Sequence, residues 1–259
     1  MRYIISVNDL IDNFADQMPS EAPDLALLGR GLEVGRGRSP RIKGLGAIHD
    51  GLPADDATEQ RLAPLREAGP DAPTLCTGWT AHDLAAHVVA RERRPDSGPG
   101  LVVPLLAPWT ERVRRRYRRR DFGDLVELIR TGPPWTSPFA VPAVDEAANL
   151  VEFLVHCEDV RRAAPGWRPR ALPVDRVEAV RILLVRRAGV LFRRSPVGVT
   201  LVDPEGRHVV ARKGTPSVSL TGDPVELLLF GVGRGARTRV EVQGPAAAVA
   251  LLREARLGI

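Results

Sequence analysis

Cysteine occurs only at Cys76 and Cys157 in 259 residues. Two thiols rule out a disulfide framework and suit a reducing cytoplasm. Lysine is equally scarce: of 37 basic residues, only Lys43 and Lys213 are not arginine. Asparagine appears at Asn8, Asn13 and Asn149 alone. No run approaches the roughly 20 apolar residues of a membrane span. The first residues carry Asp9, Asp12 and Asp16 among short apolar pairs, which is not the pattern of a signal peptide. A phosphate-cradling glycine-rich loop and a nucleophile elbow are both missing.

What is present is an ordinary globular mix, with 44% hydrophobic and 27% charged residues. The chain is long enough for two domains and can bury a core without disulfides or metal. Abundant Arg, Ala, Gly and Pro point to a GC-rich genome rather than to a nucleic-acid partner. A net charge of +5 is weak by itself. Seven arginines crowd residues 112–120, but Trp109, Val113 and Tyr117 stand at core spacing, so a solvated basic face is expected there. Neither a nucleic acid nor a membrane is expected as a partner.

Residues 1–53 differ from the rest. They hold five of the eight isoleucines, and residues 29–47 are rich in Gly and Arg without a helical or strand period. A short helix near 7–17 is expected, within a segment read as a flexible or misassigned leader. Residues 54–167 read as a helical bundle. Helices are expected near 55–68, ending at Gly69-Pro70, and from Thr80 to about 93. Thr80 serves as N-cap and Asp83 completes the box. Further helices are expected near 106–119 (Leu106, Trp109, Val113 and Tyr117 at helical spacing), 122–131 and 144–163. Residues 172–259 read as a small α+β domain. It comprises a helix at 174–193 and strands at Val197–Val202, His208–Arg212, Ser217–Thr221 and Arg237–Val242. Helices follow Asp223-Pro224 and close the chain at 245–256.

The fourth bundle helix is the most informative element. Asp145, Asn149, Glu152, His156 and Asp159 are spaced 4, 3, 4, 3. At about 100° per residue they share an arc of roughly 80°. Apolar residues flank this arc, with Phe153 and Val160 on one side and Ala148 and Val155 on the other. A solvent face in so arginine-rich a chain would be broader and would carry Arg. Here Arg161 and Arg162 come only in the last turn, where they suit the helix dipole. A narrow acidic and imidazole stripe therefore reads as a buried polar seam.

Glu152 and His156, one turn apart, can reach one cation, although such pairs are also common helix-surface interactions. The second helix offers a third ligand. His82 and His87 point roughly 140° apart and cannot share a site. His87 lies on the inner face between Leu84 and Val88, where the alternative is a hydrogen-bonded core histidine. Two His and one Glu leave a coordination position open, which suits a catalytic divalent metal: zinc foremost, with iron, nickel and manganese also compatible. Asp159 is placed to support the site by accepting an imidazole N–H or holding a bound water. Cys157 reads as a packing residue, and Cys76, before the second helix, as structural, a modestly reactive thiol being the alternative.

Two stretches carry a resemblance. Residues 76–87, Cys-Thr-Gly-Trp-Thr-Ala-His-Asp-Leu-Ala-Ala-His, are similar to the GWT-x-x-D-x-x-x-H element of mycothiol-dependent maleylpyruvate isomerases and their DinB-like relatives. Residues 152–159, Glu-Phe-Leu-Val-His-Cys-Glu-Asp, are similar to that family's E-x-x-x-H-x-x-D element. The Gly222-Asp223-Pro224 turn and the Glu226–Phe230 run also fit, so the resemblance spans about 55–259. It implies an α+β protein, with a DinB-like four-helix bundle followed by a small sterol-carrier-like domain, in an actinobacterial cytoplasm. It places the metal ligands on His87, Glu152 and His156. It further implies mycothiol as co-substrate, with the metal activating a small thiol for isomerisation or S-transfer on an electrophilic small molecule. The family's additional thiol-binding arginine falls on Arg234 or Arg239. A non-catalytic, metal-stabilised module for a small ligand is the alternative.

Overall fold

The computed structural model describes residues 62–101, 103–134, 137 and 142–258, with the side chains of 101 and 142–150 left aside. The leader and its helix near 7–17 lie outside these residues, as do the side chains of Asp145 and Asn149.

Helix α1 covers residues 62–68 and stops at Gly69, whose φ of 78° lies in the left-handed region. Helix α2 spans Ala81–Arg93. Its start is the expected capping box: the Thr80 side chain accepts from the Asp83 N–H, and the Asp83 carboxylate accepts from the Thr80 N–H. Thr80→Ala should cost about 1 kcal/mol in chemical denaturation. An unchanged midpoint would show that the box contributes nothing.

Two 3₁₀ turns lead into α3 (Ala107–Arg118), followed by α4 (Phe122–Arg130) and α5 (Pro142–Ala163). Leu62, Leu65, Leu84, Ala85, Val88, Leu125, Ile129 and Val160 form one hydrophobic core from α1, α2, α4 and α5. On α3 the inward residues are Val113 and Tyr117. Trp109, expected at core spacing, is 40% exposed, and Leu106 is 42% exposed. They sit at the N-terminal end of α3, beside the point where α2 has already ended at Arg93. Arg94 lies over the Trp109 ring instead.

Helix α6 (Val174–Leu191) opens the second half. Strands β1 (Gly198–Val202), β2 (His208–Arg212), β3 (Ser217–Thr221) and β4 (Glu241–Gln243) form one mixed sheet in the order β2-β1-β3-β4. The β1–β2 and β3–β4 pairs are antiparallel, and β1–β3 is parallel. Helix α6 packs against β2, α7 (Pro224–Leu229) packs against α6, and α8 (Ala246–Glu254) packs against β3. Asp223 caps α7 through the Val225 N–H. Strand β4 is shorter than the expected Arg237–Val242 because the backbone of Arg237 and Arg239 is used elsewhere: the Arg237 carbonyl accepts from Arg162, and the Arg239 N–H donates to Glu226.

The second core draws on α6, the sheet, α7 and α8, and also on Val151, Leu154 and Val155 of α5. Helix α5 therefore belongs to both cores. Its Val151–Val155 face meets the second core and its Val160 face the first. Glu152, His156 and Asp159 fall between those faces by helical geometry. The seam inferred from the sequence is the line along which two cores meet. Arg162 lies on the same side as Val151 and Val155 and is 1% exposed. It bridges two buried carboxylates rather than sitting in solvent as a dipole partner.

Candidate metal centre

Helix α2 carries His87 into the seam. Helix α5 presents Glu152 and His156 one turn apart on the facing surface. All three are 4–5% exposed. Both imidazoles converge on a single oxygen: His87 Nε2 is 3.0 Å and His156 Nε2 3.1 Å from Glu152 Oε1. The two rings stand nearly perpendicular, 5.5 Å apart between centroids. The three donor atoms lie within 4.8 Å of one another. Trp79 closes one side, its ring 5.4 Å from that of His87.

Asp159, fully buried, stands behind His156. Its Oδ2 accepts from His156 Nδ1 at 3.0 Å. A carboxylate only accepts, so His156 donates from both nitrogens, to Asp159 and to Glu152. This arrangement favours the protonated ring. Burial opposes that charge, but the Glu152 carboxylate and the bonds to Asp159 and Cys76 raise the His156 pKa well above its ordinary value. Burial also opposes ionisation of Glu152, yet the charges of Arg91 and His156 hold its carboxyl well below the usual range. For His87, burial dominates and lowers the pKa despite the bond to Glu152. For Asp159, burial is outweighed by Arg234 and His156, and the carboxyl is held far below its ordinary range.

Two residues reach this cluster that sequence spacing did not bring to it. Cys76, in the loop before α2, donates its thiol to Asp159 Oδ2 at 3.2 Å. The loop is tied to α5 by a bond from the Leu75 N–H to the Asp159 carbonyl. Arg234, from the turn after α7, grips Asp159 with two bonds of 2.8 Å, and its Nη2 lies 3.6 Å from Cys76 Sγ. Of the two arginines considered from the sequence, Arg234 is at the cluster. Arg239 lies over the Trp167 ring. Nothing in the spacing marks Cys76 as a neighbour of Asp159. The only signal for Arg234 was the family resemblance.

His82 is held on another face of α2. Its Nε2–H donates to the Arg120 carbonyl at 2.9 Å, and its Nδ1 accepts from Arg118 at 2.7 Å. The arginine-rich helix is likewise partly spent on internal pairs. Arg114 binds Asp83 and Glu111 beneath the Trp79 ring, and Arg118 approaches Asp83. Cys157 is buried.

Two imidazole nitrogens and one carboxylate oxygen, buried and aimed at one point, form a donor set that suits a divalent cation of the zinc type. Asp159 fixes the proton of His156 on Nδ1, which leaves Nε2 free to ligate once its own proton departs.

No curated protein sequence matches this chain. Two solved structures share its fold: the crystal structure of the mycothiol-dependent maleylpyruvate isomerase, and that of a histidine-to-alanine mutant of it. Each aligns at a TM-score of 0.52 and 15% identity, over 80% of this chain and 95% of that one. Among the described residues, no helix is long and apolar enough to cross a membrane. The family model for the mycothiol maleylpyruvate isomerase N-terminal domain matches residues 52–194, more than half of the chain, and the protein belongs to that family.

Proposed function

We propose that this is a cytoplasmic, divalent-metal-binding protein, zinc being the first candidate, that activates mycothiol or a similar small thiol for attack on an electrophilic small molecule. His87, Glu152 and His156 hold the cation. The observation that carries this reading is the convergence of two buried imidazole nitrogens on Glu152 Oε1. Bound there, a divalent cation supplies stabilisation of a thiolate over a thiol.

The chain's own groups do the rest. Three protein ligands leave room for a fourth. Asp159 holds the His156 proton at Nδ1, and Arg234 holds Asp159. The Arg234 guanidinium, beside Cys76 Sγ, adds positive charge near an incoming thiolate. Trp79 and the two cores keep water from the cluster. The solved isomerase of the same fold is mycothiol-dependent by name, which supports a thiol as co-substrate.

The test is optical. With cobalt(II) in the site and millimolar thiol, a sulfur-to-metal charge-transfer band should appear. It should strengthen as pH rises through the pKa of the bound thiol, because only thiolate ligates. Absence of the band in metal-loaded protein overturns thiol activation. The cation would then serve to tie α2 to α5, and the protein would be a metal-stabilised binding module.

Asp159→Ala should weaken cation binding by about 10–100-fold, the usual cost of losing a group that orients a ligand. Chelator competition reads it. Binding as tight as in the parent would make Asp159 a bystander, and loss as complete as in His156→Ala would make it a ligand.

A further inference from the structure

One buried cation ties the last turn of α5 to Glu226 and the turn beyond it. The Arg162 guanidinium donates from Nε to Glu158 Oε2 at 2.7 Å, from Nη2 to Glu226 Oε1 at 2.5 Å, and from Nη1 to Glu226 Oε2 at 2.9 Å and the Arg237 carbonyl at 2.7 Å. The Trp167 ring lies 4.6 Å from it. Glu226 also accepts from the Arg239 N–H at 2.7 Å. Among the described residues, one stretch of chain, Glu226 to Arg239, therefore supplies the hydrogen-bond partners of Arg162 outside α5.

That same stretch carries Arg234, and its backbone is seated on the second core. A methyl group on Gly231 would meet the Phe192 ring at 3.0 Å, and one on Gly233 would meet the Leu257 carbonyl at 3.0 Å. Gly233 also holds a φ of 85°, which a larger residue adopts only with strain. So close a seat leaves the turn little freedom of its own. Where the Arg234 guanidinium sits relative to Asp159 then depends on how Glu226–Arg239 is held against α5: Val151, Leu154 and Val155 share its apolar core, and Arg162 is the polar fastening nearest Asp159. Asp159 and Arg162 stand three residues apart on one side of α5, so both ends of this linkage act on a single turn of helix.

We propose that Arg162 is a positioning residue for the cluster: by clamping Glu226 and the Arg237 backbone it holds Arg234 on Asp159, and so makes cation affinity and the shielding of Cys76 depend on the seating of the Glu226–Arg239 stretch. The cation half of this inference rests on the function proposed above. The shielding of Cys76 does not.

The full-length chain is compared with Glu226→Gln, Arg234→Ala and the double variant. Glu226→Gln keeps the side-chain shape and an acceptor for the Arg239 N–H. Two quantities are read: cobalt(II) affinity by chelator competition, and the rate at which iodoacetamide alkylates Cys76, assigned by peptide mass. Both single variants should bind cobalt about tenfold less tightly and alkylate Cys76 faster. The double variant should be no worse than Arg234→Ala, because Arg162 acts through Arg234. Parent-like affinity and alkylation in Glu226→Gln overturn the proposal. So does a full additional loss in the double variant, which would mean a general loosening. If Glu226→Gln does not fold, Arg162→Gln combined with Glu226→Gln, a neutral pair, is judged by the same outcomes. A parent that binds no cobalt removes the metal reading, and the alkylation rates alone then decide the role of Arg162.

Discussion

Replacing any one of His87, Glu152 and His156 with alanine is expected to strip the protein of its divalent metal. Elemental analysis of the parent should give about one metal per chain, in keeping with a single three-ligand site. A ligand deletion must cost more than the roughly 10–100-fold assigned to an orienting group such as Asp159. Each ligand contributes differently. Removing Glu152 takes away the negative charge on which both imidazoles converge and which faces Arg91. Removing His156 also takes from Asp159 the imidazole it orients. Removing His87 takes away the imidazole that α2 brings to the cluster and leaves Arg91 of that helix facing Glu152. The control is His82→Ala. Its imidazole bonds Arg118 and Arg120 on a different face of α2, so metal content should stay at the parent level. Equal loss from His82→Ala, or full metal content in any of the three ligand variants, would refute the site.

The second large effect concerns stability. Arg162→Ala removes a guanidinium that neutralises Glu226 and part of Glu158 in the protein interior. Glu158 keeps Arg161 and Arg170. Glu226 keeps the Arg239 N–H, a neutral donor. Breaking a buried pair from one side typically costs about 3–5 kcal/mol, because a charge remains without its counter-ion. For a protein of this size, about 2–4 °C of melting temperature per kcal/mol gives a fall of roughly 6–20 °C. Arg161→Ala, which removes a more exposed partner of the same Glu158, should cost less than about 1 kcal/mol. Equal shifts for the two variants would show that the buried pair is no stronger than a surface one.

Features that depend on neighbours along the chain are legible in the sequence itself. The Thr80–Asp83 box, the stop at Gly69-Pro70 and the helix start after Asp223-Pro224 each lie within a few residues and appear where expected, and the Asp203–Gly206 turn that joins β1 to β2 is equally local. The placement of Glu152, His156 and Asp159 on one face of α5 follows from helical pitch alone. The choice of His87 over His82 follows from the same pitch on α2. Exposure is less legible. Leu106 and Trp109 have core spacing, yet spacing says nothing about where the opposing helix ends.

Among the described residues the sequence by itself determined the α-helices, the first three strands and the three side chains that meet at Glu152 Oε1, because short-range periodicity and capping chemistry suffice for each. Only the tertiary structure decided what surrounds them. Cys76 and Arg234 stand 83 and 75 residues from Asp159, and no periodicity links positions so far apart. Arg162 looks in sequence like a solvent-facing helix end and is instead buried, because the second core folds back over α5 and brings Glu226 to it. Local propensity acts over one or two turns of chain. Contacts across the seam depend on the path of the whole chain and on the packing of two cores against the one helix they share.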